Sequence, residues 1–119
     1  MADAALFIGG GAPVRGREEK GLEVFAEATA YYAGLQENGQ IESWEPVLLE
    51  PHGGELDGFI ILRGSREQLD EVHASSEFER MTTRAGLIAQ NVGVVHAFIG
   101  GGLERAMGQY QDAIGAVAV

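Results

Sequence analysis

Residues Ile41–Gly64, IESWEPVLLEPHGGELDGFIILRG, decide the fold. Two apolar, β-branched runs flank Pro51-His52-Gly53-Gly54, a tetrapeptide that cannot continue a strand and supplies the positive-φ positions a reversal needs. The segment is expected to be a β-hairpin. In its second strand Leu56, Gly58, Ile60 and Leu62 alternate with Asp57, Phe59, Ile61 and Arg63, so the first set is assigned to the face under the helices and the second to the opposite face. The first strand does not separate so cleanly. Trp44 and Leu48 share a face with Glu42 and Glu50, while Ile41, Val47 and Leu49 share the other with Ser43 and Glu45. A slip of one residue would exchange the two faces, and the sequence leaves both registers open.

Working outward, each flank leads into a helical pattern. Upstream, Arg17–Asn38 carries Leu22, Phe25, Thr29 and Tyr32 on one side, with Glu19, Glu23 and Glu27 opposite, a 3.6-residue period. Glu18 and Glu19 suit the helix N-terminus and Gly39 its C-terminal cap. Downstream, Ser65-Arg66-Glu67-Gln68 is a capping box that opens a short helix through Val72, and Ser76-Glu77-Phe78-Glu79 reads as a second, opening a helix to Ala89. Phe78, Met81, Ala85, Ile88 and Ala89 form the apolar stripe of that second helix. A strand is expected at each end, in Ala4–Gly11 and in Val92–Gly100. In the latter Val94, His96 and Phe98 share one face, and Val95, Ala97 and Ile99 share the other. A last helix, Leu103–Ile114, has a regular stripe of Leu103, Ala106, Met107, Tyr110, Ala113 and Ile114, followed by a loose tail, Gly115–Val119.

The order β-α-β-β-α-β plus a terminal helix, joined by right-handed crossovers, predicts a single domain over residues 1–119. Its fold class is α+β: a ferredoxin-like βαββαβ sandwich with one antiparallel sheet and helices on one face only. Phe7-Ile8-Gly9-Gly10-Gly11 recurs as Phe98-Ile99-Gly100-Gly101-Gly102, on strands that this topology makes antiparallel neighbours.

Composition excludes several functional classes. Eight Lys plus Arg against 18 Asp plus Glu give a formal charge of −10, which repels phosphate backbones and anionic membrane surfaces, so neither nucleic acid nor membrane is expected as a partner. No apolar run approaches the roughly 20 residues of a membrane helix. The first residues, MADAALFIGGG, have no basic leader, so a cytoplasmic location is expected. The absence of cysteine removes disulfides, thiolate chemistry and cysteine-held metals. Gly9–Gly16 lacks the phosphate-loop lysine, and Val14 stands where a dinucleotide fingerprint needs its third glycine, so the stretch is expected to be a flexible connection. His52 is placed in a turn and His73 at a helix C-terminus. No spacing demands a metal, and no serine sits on a strand-to-helix elbow.

The order of elements, the strand GFIILRG from Gly58 to Gly64, and the capped helix at Ser75-Ser76-Glu77-Phe78 resemble the dimeric α/β-barrel superfamily. The resemblance implies a homodimer packed sheet against sheet through the helix-free face, where Phe7, Phe59, Ile61, Val94 and Phe98 are expected. It also implies a pocket within the barrel. The strand faces read from the residues would line such a pocket with Trp44, Phe59, Arg63, His96 and Phe98, with His96 as acid/base and Arg63 orienting an anion or pairing with a glutamate at the dimer rim. Two functions follow. One is a small-molecule-binding homodimer taking an aromatic or anionic metabolite. The other is a cofactor-independent monooxygenase or isomerase acting on an aromatic or lactone substrate. Neither requires a cofactor or a metal.

Overall fold

The computed structural model describes residues 2–117. The elements run β1 (Ala4–Gly10), α1 (Glu18–Glu37), β2 (Ser43–Leu48), β3 (Gly58–Gly64), α2 (Arg66–Ala74), α3 (Ser76–Ile88), β4 (Gly93–Phe98) and α4 (Gly100–Val117). The four strands make one antiparallel sheet in the order β2-β3-β1-β4. This is the ferredoxin-like α+β fold expected from the sequence.

Alternation in β3 resolves as its residues dictate. Ile60 and Leu62 are buried under the helices, while Phe59, Ile61 and Arg63 lie on the other face at intermediate exposure. Pairing settles the rest, because residues directly opposite in an antiparallel ladder share a face. Trp44 pairs with Leu62 and so lies on the helix side, where its ring centroid is 6.2 Å from that of Tyr32. Leu6 pairs with both Leu62 and His96, Ile8 with Val94, and Ala4 with Phe98. Val94, His96 and Phe98 therefore lie on the helix side, opposite to expectation. The helix-free face instead carries Phe7, Phe59, Ile61, Val95 and Ala97, with the Phe7 and Phe59 rings stacked 5.1 Å apart.

The core joins Leu6, Ile8, Ile60 and Leu62 of the sheet to Tyr32 and Leu35 of α1, Leu69 and Val72 of α2, and Phe78 of α3. Serine caps aim α2 and α3 onto the sheet. Ser65 Oγ accepts from the Gln68 N–H while Gln68 Oε1 accepts from the Ser65 N–H, a complete capping box. The cap of α3 is Ser75, one residue before the expected Ser76, with Oγ accepting from the Phe78 N–H.

Three further differences follow from local chemistry. The link between β2 and β3 is longer than a tight turn, running from Leu49 to Asp57. Within it the Gly54 N–H donates to His52 Nδ1, and His52 Nε2 lies 2.8 Å from the Leu56 carbonyl oxygen. The glycine-rich stretch after β1 is pinned rather than free: the Gly11 N–H donates to the Gln90 carbonyl, and the Val14 N–H to that of Ile88. A Cβ at Gly11 would stand 2.7 Å from the Glu55 carbonyl oxygen and 3.0 Å from that of Gln90, so only glycine fits where three backbones meet. Finally, α4 is longer than expected and includes Gly115–Val117; Ala118 and Val119 of the predicted tail lie outside the described residues.

Candidate functional site

Small residues on facing surfaces leave a gap between the sheet and the helices. Gly21 and Ala28 of α1 look toward Ala85 and Ile88 of α3, above a floor made by Ile8, Gly58 and Ile60. The result is a cavity of about 660 Å³, within the range of roughly 300–1,000 Å³ typical of small-molecule sites. Phe25 and Met81 add apolar walls, and Tyr32 closes the inner end beside the core. Burial pushes the Tyr32 phenol well above its ordinary pKa, so it stays neutral and can serve as a hydrogen-bond donor.

The polar groups of the lining are few. Besides Tyr32, the residues Thr82, Glu18 and Asp57 contribute, and no Lys, Arg or His lines the cavity among the described residues. Leu22 and Leu48 stand at the mouth, 73% and 87% exposed. Leucine at such exposure beside an apolar cavity marks a site that a ligand or partner would desolvate. Leu22 and Phe25 border the opening, both exposed, rather than entering the core as their spacing suggested. Val24, Tyr32 and Leu35 carry the burial of this helix.

A second cluster lies where α2 approaches β4. The His96 ring stacks 6.0 Å from that of His73, which in turn lies 5.6 Å from Phe78. His96 Nε2 is 3.9 Å from an Asp70 carboxylate oxygen, and its Nδ1 is buried without a hydrogen-bond partner among the described residues. Desolvation, then the neighbouring Arg66 guanidinium, hold the imidazole below its ordinary pKa of 6.5, against the opposing pull of Asp70. His96 is thus a neutral base at neutral pH. Among the described residues no three His, Asp or Glu side chains converge as a metal would require.

No family model matches the chain. A 93-residue stretch is 32% identical to indigoidine synthase from Dickeya dadantii (strain 3937), covering 72% of this chain but only 6% of that synthase. The chain therefore spans a small fraction of the curated relative it matches. Among solved structures, a hypothetical protein from Arabidopsis thaliana aligns with a TM-score of 0.62 at 14% identity, over 84% of this chain and 90% of the other. A dimeric ferredoxin-like protein of unknown function from Bacteroides fragilis aligns at 0.59 and 11%, over 81% and 96%. The cofactor-independent oxygenase SnoaB from Streptomyces nogalater aligns at 0.53 and 14%, over 83% and 95%. The chain has the ferredoxin-like fold.

Within that fold the residues singled out from the sequence fall in three places. Trp44 is part of the helix-side packing beside Tyr32. His96 joins the cluster under α2, and Phe98, 63% exposed, ends the edge strand on that same side. Arg63 and Phe59 remain on the helix-free face, where Arg63 Nη2 donates to Glu45 Oε1 at 3.0 Å; of the five, Phe59 alone also borders the cavity. They do not line one pocket. The cavity residues Gly21, Ala28, Met81 and Ala85 carry no site signal of their own in the sequence, where they stand only as small or apolar residues within two amphipathic helices.

Proposed function

We propose that this chain is a small-molecule-binding homodimer whose ligand is a neutral, largely apolar aromatic metabolite held in the cavity between α1, α3 and the sheet. The observation that carries this is the lining: a space of ligand size, walled by apolar side chains, with one neutral phenol at its inner end. A carboxylate or phosphate ligand would find acidic Glu18 and Asp57 there and no cation. Arg63, the cation expected to orient an anion, is held by Glu45 on the other side of the sheet. The homodimer rests on the helix-free face, where Phe7, Phe59, Ile61 and Val95 form an apolar surface that sheet-to-sheet packing would bury. The described dimer from Bacteroides fragilis shares this fold. The test is a thermal-shift screen of aromatic, quinone and lactone compounds. At millimolar ligand a micromolar binder adds about 4 kcal/mol. Neutral planar compounds should raise the Tm and their carboxylated analogues should not.

A second function is favoured by the environment of His96 and by the oxygenase among the structural relatives: a cofactor-independent monooxygenase or isomerase. A neutral imidazole 3.9 Å from Asp70 is in the protonation state that can accept a proton from a substrate. Turnover of a binding hit, lost in His96→Ala while binding persists, would support it. Hits that bind both variants equally and are never converted would leave His96 a structural residue.

A further inference from the structure

We infer that α4 is a pairing helix: in the dimer it lies antiparallel against α4 of a second copy. This rests on the homodimer proposed above and adds a seam to it. Leu103, Met107, Tyr110, Ile114 and Val117 are between 47% and 77% exposed. Their spacings of four, three, four and three residues average 3.5, the repeat that keeps one stripe facing a partner helix rather than drifting around the axis. The helix is held to its own fold at its beginning. Gly102 is buried against the Asp3 backbone and Arg105 Nη2 pairs with Asp3 Oδ2 at 3.3 Å, which fixes the direction of departure and leaves the stripe uncovered.

The occupant follows from the stripe's own complementarity. With Met107 and Ile114 as one core position and Leu103 and Tyr110 as the other, antiparallel pairing sets Leu103 against Ile114 of the second copy and Met107 against Tyr110. The flanking positions then bring Ala106 opposite Ala113, small enough for close approach, and Glu104 opposite Gln111, so no acid meets an acid. For a chain of charge −10 such a surface is where two copies can touch without repulsion. Two heptads are too few to associate alone, since free coiled coils need about three or four. The sheet face supplies the remainder of the roughly 800 Å² per partner that a standard interface buries.

A chain without cysteine makes the test direct, because only introduced thiols can cross-link. Leu103→Cys mixed with Ile114→Cys should give a covalent dimer on mild oxidation, as should the double variant, whereas neither single variant should do so alone. Cross-linking of Leu103→Cys alone would mean a parallel seam and overturn the inference; no cross-link in any sample would remove the helix pair altogether. Sedimentation of the wild type separates the two levels. A monomer defeats the homodimer and the seam together, while a dimer that gives no cross-link defeats only the seam. Met107→Glu, read in parallel by sedimentation, should raise the dimer dissociation constant at least tenfold with helix content unchanged.

Discussion

Gly21→Leu should stabilise the protein and close its binding site in a single step. Gly21 lies within α1 and lines the cavity, and a Cβ built there meets Ile88 Cδ1 at 3.7 Å, ordinary van der Waals contact. Replacing a helix-interior glycine by alanine contributes about 0.5–1 kcal/mol by restricting the unfolded chain. Three further carbons entering an apolar space are worth up to about 0.8 kcal/mol each, and half of that is reasonable at a site near the mouth. The sum is about 2 kcal/mol, or roughly 8 °C in Tm for a domain of this size. Gly21→Ala should give only the backbone share, roughly 3 °C, and leave ligand binding intact. Calorimetry with and without a screening hit reads both effects. A Gly21→Leu protein that melts no higher than wild type, or binds the ligand as tightly, would refute the cavity as the site.

Three other outcomes are expected. Phe59→Asp, which sets a charge beside the Phe7 ring on the helix-free face, should shift the protein to monomer by sedimentation, while Glu23→Ala on α1 should not. Gly11→Ala should cost about 1–3 kcal/mol in denaturant unfolding, because its Cβ overlaps backbone oxygens that cannot yield as a side chain would. Because the His96 pKa is lowered on folding, the unfolded chain binds the proton more readily near pH 6.5. Stability therefore rises with pH through that window and falls on acidification below it. The loss of Tm between pH 7 and pH values just below 6 should be smaller in His96→Gln than in wild type; equal losses would show that His96 does not contribute.

Much of the fold was legible because its signals are local. The Ser65–Gln68 box, the alternation of Ile60 and Leu62 with Phe59 and Ile61, and the stripe around Phe78 each name a face without reference to distant residues. Strand β4 was not legible in the same way. Val94 and Phe98 are matched by Val95 and Ala97 on the other parity, so hydrophobic alternation gives no preference, and only pairing with β1 decides. Phe98 sits on the helix side, exposed at the sheet margin as an edge strand permits, whereas His96 lies beside His73 and Asp70 of α2. The facing of Trp44 turned on a register that the charges of β2 did not specify, and its pairing with Leu62 places it beneath the helices. The FIGGG repeat shows the same limit, for Phe7 and Phe98 occupy opposite faces despite identical neighbours. The cavity was hardest to see, because it consists of side chains too small to fill a space that tertiary packing creates.

The most direct measurement is the location of a bound ligand by intermolecular NOEs between a screening hit and the methyl groups of the protein. Contacts to Met81, Ile88 and Ile60, lost in Gly21→Leu, are the predicted result. Contacts instead to Ile61 and Val95 would place the ligand on the helix-free face, between sheets, and contradict the account.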